Sequence, residues 1–157
     1  MKELKIITKI RLCTDKELNK EEKKIIDAAK EASTRAYAPY SGFRVGAAIL
    51  LSNKEIVTGN NQENAAYPSG MCAERVALFY AGAQYSDIPV KAIVVVATKN
   101  DVIQQQISPC GACRQVLLET EKRYKQPIRI LLYGNDVVYA IDSAESLLPL
   151  SFNADNL

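Results

Sequence analysis

Residues Ala92 to Thr98 read AIVVVAT. A half-buried strand alternates apolar and polar side chains, because successive residues point to opposite faces of the sheet. This run does not alternate: it is apolar at nearly every position. Such a strand must be covered on both faces. That one requirement forces a sheet with layers above and below it.

The rest of the chain supplies those layers. Asn19 with Glu22 has the pattern of a capping box, and Ile25, Ile26, Ala29, Ala32 and Ala36 follow at helical spacing. This predicts an amphipathic helix over about 20–37, stopped by Pro39, which pushes Ala38 out of helical geometry. Residues 43–51 and 55–59 read as a strand hairpin across Ser52-Asn53-Lys54. A polar loop, 60–70, precedes a helix from Cys72 to Ala81, closed by Gly82. After the 92–98 strand, a loop leads to Pro109. Then come a helix over about 110–125, strands at 128–133 and 137–141 around Gly134-Asn135-Asp136, and a short helix near 143–148. Strands separated by helices imply βαβ units. The expected fold is α/β: three layers, α/β/α, around a central mixed five-stranded sheet. The length of 157 residues suits one core, giving a single domain over 19–157. Residues 1–18 form an N-terminal extension, read as an edge strand or an extended arm.

Charge narrows the partners. Twenty basic and 18 acidic side chains leave a net +2, dispersed along the chain. Neither a phosphate backbone nor an anionic membrane is implied. Met1 to Arg11 lacks the apolar run of a secretory signal, and no stretch approaches a membrane span. A cytoplasmic location is expected, where cysteines serve as thiols or metal ligands rather than disulfides. There is no histidine, which removes Ser-His-Asp and Cys-His catalysis.

The chemistry then rests on the cysteines. Cys110 and Cys113, in SPCGACRQ, open one helix, and Cys72 opens another. If the intervening strand is parallel to its neighbour, both helix starts lie at the same sheet edge. Helix N-termini favour thiolates, and three thiolates make a good zinc site with a fourth position open to water. Glu74, two residues past Cys72, is placed to move protons. Other readings of the same residues are a redox Cys-x-x-Cys pair and a closed structural zinc with Cys13 as the fourth thiolate. As turn or core residues, Asn61, Glu63 and Phe43 also have plain structural readings.

Cys72-Ala73-Glu74 with Pro109-Cys110-Gly111-Ala112-Cys113 resembles the zinc-dependent nucleoside deaminases, and in particular the small three-cysteine cytidine deaminases. The resemblance extends over roughly residues 20–152, through APYSGFRVGAA, GNNQENAAYPSGMCAERVAL, SPCGACRQVL and LLPLSF, in that order. It implies one zinc per chain, bound by Cys72, Cys110 and Cys113, with Glu74 as proton carrier. It implies that the Ala73 N–H and main-chain groups near Ser108 hold the pyrimidine edge. Phe43 would line the base pocket, and Asn61 and Glu63 would bond the ribose 3′-hydroxyl. Arg75 would offset the charge of three thiolates. The family is homotetrameric with shared sites, and Phe152 would reach a neighbour's site. The implied reaction is hydrolytic deamination of cytidine and deoxycytidine, in pyrimidine salvage. The alternatives are another aminopyrimidine substrate or a zinc-stapled interaction module without turnover.

Overall fold

The computed structural model describes residues 1–157. Its centre is a sheet with strands β1 (Arg11–Cys13), β2 (Arg44–Leu51), β3 (Ile56–Asn60), β4 (Val90–Lys99), β5 (Val102–Ile103), β6 (Arg129–Tyr133) and β7 (Val138–Ile141). The order is β1-β7-β6-β4-β2-β3, with β5 folded back on β4. β4 and β6 are parallel and every other pairing is antiparallel. The mixed sheet is as expected, but it has seven strands rather than five. The two extra strands are short. β1 adds to the outer edge of β7. β5 arises because Asn100 and Asp101 both take left-handed backbone conformations, φ 51° and 59°. Two such residues in succession make the tight turn whose twist suits a hairpin, so part of the expected loop is strand.

Helix α1 (Lys20–Thr34) covers one face of the sheet; α2 (Ala73–Gln84) and α3 (Gly111–Tyr124) cover the other. β4 shows why its sequence does not alternate. Ile93 and Val95 pack with α2 and α3, while Ala92, Val94 and Val96 pack with α1. Both layers demand apolar partners. Two glycines let the helices come close. A Cβ on Gly46 would strike the Ala29 carbonyl and Ser33 N–H of α1. A Cβ on Gly59 would lie 2.5 Å from the Ala73 carbonyl and 2.6 Å from the Ala77 nitrogen of α2.

The α1 capping box is present. Asn19 Oδ1 accepts from the Glu22 N–H at 2.9 Å, and Glu22 Oε2 from the Asn19 N–H at 2.9 Å. The helix ends at Thr34, earlier than expected. Tyr37 leaves it to donate to the Asn61 carbonyl (3.0 Å) and accept from the Glu63 N–H (2.8 Å). Gly82 does not end α2, which continues to Gln84 and is capped at Tyr85. Local propensity pointed to a stop, but Gly82 does not take a left-handed conformation, and the Tyr85 N–H continues the ladder to the Ala81 carbonyl at 2.8 Å. The expected helix near 143–148 is a single 3-10 turn, Ala144–Leu147. Residues 1–10 are exposed and outside any strand or helix. No helix is long and apolar enough to cross a membrane.

Because β2 is antiparallel to both β3 and β4, those two strands point the same way. The chain leaves each at the same sheet edge and enters α2 and α3 there. The crossover geometry therefore brings two helix N-termini together, as the sequence implied.

Candidate active site

Cys72 is the N-cap of α2 and Cys110 the N-cap of α3; neither side chain caps its own helix. Cys113 sits on the first turn of α3 and is fully buried. The three sulfurs converge. Cys72 Sγ is 3.8 Å from Cys110 Sγ, and Cys110 Sγ is 3.5 Å from Cys113 Sγ. All three lie within 4.8 Å of one another. Two sulfurs of a tetrahedral zinc, each about 2.3 Å from the ion, stand about 3.8 Å apart. The donor set and its spacing therefore fit zinc. Cys13 is on β1, at the far edge of the sheet, and is not in this cluster. A closed four-cysteine site does not form. A redox pair of Cys110 and Cys113 leaves the convergence of Cys72 unexplained.

The thiols and their neighbours have strongly perturbed electrostatics. Cys72 is drawn down to about 5, because Cys113 donates to its sulfur and Arg75 and Cys110 add further hydrogen bonds against desolvation. Cys113 moves up, as the donor to that thiolate and as a buried group. Arg75 Nη2 lies 3.8 Å from Cys72 Sγ, and this bond raises the guanidinium pKa. Arg75 Nε is buried with no partner, and no carboxylate forms an ion pair with this guanidinium.

Glu74 lies in the first turn of α2 with 5% of its surface exposed. Burial pushes its carboxyl above the ordinary 4.5, and the charge on Cys72 adds to that. A carboxyl shifted toward neutrality can both take and return a proton. Gly59 makes this placement possible, since only a bare backbone on β3 lets the Ala73–Ala77 turn approach so closely.

Cys72, Glu74 and Cys110 line a cleft of about 870 Å³, which Phe43, Asn61, Glu63 and Ser108 also line. That volume is in the range of small-molecule sites. Ala73 lines it too. Every residue that the sequence assigned to substrate therefore borders one cleft. Phe152 does not. The residue is 62% exposed, and its carbonyl accepts from Gln115 Nε2 at 2.9 Å.

The structure also supplies bonds within the protein that the sequence did not reveal, and with them Ser41 and Arg114. Asn61 pins the start of β2: its Oδ1 accepts from the Val45 N–H (2.8 Å) and its Nδ2 donates to the Phe43 carbonyl (3.0 Å). Glu63 accepts from the Tyr40 N–H (2.9 Å), the Ser41 N–H (3.3 Å) and the Ser41 hydroxyl. The Ser41 hydroxyl bond leads the causes that hold the Glu63 carboxyl below its usual range. Arg114 Nε donates to the Pro109 carbonyl (2.8 Å) and Nη1 to the Leu147 carbonyl (3.1 Å), tying the α3 entry to the C-terminal turn. The run PYSGF and the Arg after Cys113 were visible in the sequence, but their partners were not.

Comparison with known proteins agrees with this geometry. Residues 19–126, well over half of the chain, match the family described as the cytidine and deoxycytidylate deaminase zinc-binding region. The cytidine deaminase of Sporosarcina psychrophila is 45% identical over 136 residues, covering 85% of this chain and 93% of that protein. A probable cytidine deaminase of Dictyostelium discoideum is 45% identical over 104 residues, 65% of this chain and 67% of that protein. The crystal structure of cytidine deaminase from Burkholderia pseudomallei superposes with a TM-score of 0.71 at 42% identity, covering 83% of this chain and 98% of that one. Three thiols at zinc spacing, a buried carboxyl beside them and a family match over residues 19–126 converge on one conclusion: the chain belongs to the zinc-binding cytidine and deoxycytidylate deaminase family.

Proposed function

We propose that this protein hydrolyses cytidine, and deoxycytidine, to the uracil nucleoside and ammonia. The observation that carries the reading is Glu74: a buried carboxyl of raised pKa, beside three converging thiols, on the wall of a nucleoside-sized cleft. Cys72, Cys110 and Cys113 would hold one zinc per chain, and Arg75 would temper the negative charge of three thiolates. Bound there, zinc supplies a Lewis acid that makes water a nucleophile at neutral pH. Glu74 takes a proton from the attacking water, returns it to the ring nitrogen, and carries a second to the departing amine. Water adds at C4, the bond from C4 to its exocyclic amino nitrogen breaks while the ring stays closed, and ammonia leaves.

The other roles follow the cleft. The Ala73 N–H, in the α2 first turn, and main-chain groups near Ser108 hold the pyrimidine edge. Phe43 packs against the base. Glu63, with Asn61, meets the ribose 3′-hydroxyl. A carboxylate there repels a 3′-phosphate, which favours a free nucleoside over a nucleic acid strand. We assign 19–157 as the catalytic unit and 1–18 as an extension. The working form is a homotetramer in which the exposed Phe152 reaches a neighbouring chain, acting in cytoplasmic pyrimidine salvage.

The test follows the ultraviolet change from cytosine to uracil with purified protein, and with Glu74→Gln as control. Turnover by wild type, lost by about 100-fold or more in the variant with zinc retained, is expected. Zinc-loaded wild type that leaves cytidine untouched would refute the reading.

A further inference from the structure

We infer that Ser41 is a positioning residue for this reaction, a single hydroxyl that sets both the sugar-facing carboxylate and the base-facing aromatic ring. The inference rests on the substrate reading above. It goes further by naming what holds those two contacts in place.

The turn from Tyr40 to Phe43 is built for this. Gly42 takes φ 65°, and a Cβ there would meet nothing within 4 Å. Glycine is therefore present for its backbone conformation and not for space. Its N–H donates to the Ala38 carbonyl at 3.0 Å, which closes the turn. The turn aims the Ser41 hydroxyl at two residues at once. The hydroxyl donates its one hydrogen to Glu63 Oε1. It also accepts from the Phe43 N–H at 2.9 Å.

A hydroxyl has one donor and two acceptor positions, so both bonds are within its capacity. Alanine can make neither of them. Glu63 Oε2 is occupied by the Tyr40 and Ser41 N–H groups. A carboxylate offers about four acceptor positions. Three are filled, and the last, on the oxygen that Ser41 holds, is left for a ligand hydroxyl. Phe43 is held from its other side by Asn61, through its carbonyl. Ser41 is thus the only side chain bonded to both Glu63 and the Phe43 backbone. It is itself exposed, so no core packing accounts for these bonds.

The experiment compares cytidine with 3′-deoxycytidine in wild type, Ser41→Ala, Ser41→Thr and Glu63→Gln, with zinc content and melting temperature measured for each. Losing a hydrogen bond to a charged group predicts a rise in KM for cytidine of roughly tenfold in Ser41→Ala, with a smaller change in kcat. The rise for 3′-deoxycytidine should be only a few-fold, because the sugar contact is already absent. Ser41→Thr keeps the hydroxyl and should restore the cytidine KM. Ser41→Ala added to Glu63→Gln should cost little more. Equal losses on both nucleosides, or no rescue by threonine, would overturn the inference while leaving the deaminase reading intact. Wild type that neither turns over nor binds cytidine would remove that reading, and the role of Ser41 with it.

Discussion

Replacing Gly59 by alanine should damage the metal centre from a distance. The added Cβ would lie 2.5 Å from the Ala73 carbonyl oxygen, 2.6 Å from the Ala77 nitrogen and 3.1 Å from the Ala77 Cβ. The first two are backbone atoms, so no side-chain rotation relieves them. Ordinary contact begins at 3.4 Å, so the first turn of α2 must withdraw by about 0.9 Å, the excess over 2.5 Å. That turn carries Cys72 and Glu74, whereas Cys110 and Cys113 belong to α3 and stay in place. A sulfur pair now 3.8 Å apart would open by a comparable amount. Metal sites tolerate about 0.2 Å in ligand distance. Overpacking should cost about 1–3 kcal/mol of stability, and displaced ligands should lower zinc affinity by at least tenfold, the scale of second-layer changes at metal sites. Chelator competition measures the affinity, and thermal unfolding the stability. Gly46→Ala is the control, because its clash falls on α1 across the sheet. It should destabilise without singling out zinc. Wild-type zinc affinity in Gly59→Ala, or an equal loss in both variants, would refute the coupling of this glycine to the metal centre.

Arg75→Ala removes the guanidinium 3.8 Å from Cys72 Sγ and should weaken zinc binding by roughly 10–100-fold, as read by the same chelator competition. Glu121→Ala should destabilise the fold by about 3 kcal/mol or more, measured by urea unfolding. The buried carboxylate accepts from the Ile128 N–H (2.6 Å), the Ala144 N–H (2.7 Å) and the Ser143 hydroxyl (2.9 Å), and two buried N–H groups lose their acceptor. Folding lowers the Glu63 pKa below the ordinary 4.5, chiefly through the Ser41 hydroxyl. Its stabilisation is complete above the unfolded value and is lost as pH falls through the folded one. The melting-temperature gap between wild type and Glu63→Gln should therefore be constant near neutrality and close only below about pH 4.5.

Much of the fold was legible because it follows from burial. An uninterrupted apolar β4 required two covering layers, and the Asn19–Glu22 box marked the start of α1. The three thiols were legible because each stands beside a helix start. What escaped the sequence was pairing across distance. The bond from Ser41 to Glu63 spans 22 residues, and the bond from Ala144 to Glu121 spans 23. No local propensity encodes such partners. Glu121 reads as one more solvated helix charge until the strand and turn that surround it are in place. Gly82 misled in the opposite direction. Its tendency to end a helix is real but worth only about 1 kcal/mol, and the helical ladder runs past it, with the Tyr85 N–H donating to the Ala81 carbonyl at 2.8 Å. The β4–β5 hairpin had a signal, Asn100-Asp101 between Lys99 and Val102-Ile103, weakened by the polar residues that follow.

The two cysteine N-caps carry a consequence for the chain as a polymer. Neither helix start has a side-chain cap of its own, and the two sites are 38 residues apart in sequence. An ion joining them closes a loop that includes all of α2, β4 and β5 with their connections. In the chain-entropy treatment of cross-links, a closure of that length restricts the unfolded ensemble by about 4 kcal/mol. The same ligands that prepare the chemistry thus act as a clasp. Metal starvation would not leave an intact but idle scaffold. It would free the ends of two helices at once, opening the backbone around Cys72 and Cys110 to proteases and making the protein's lifetime, as well as its turnover, depend on zinc supply.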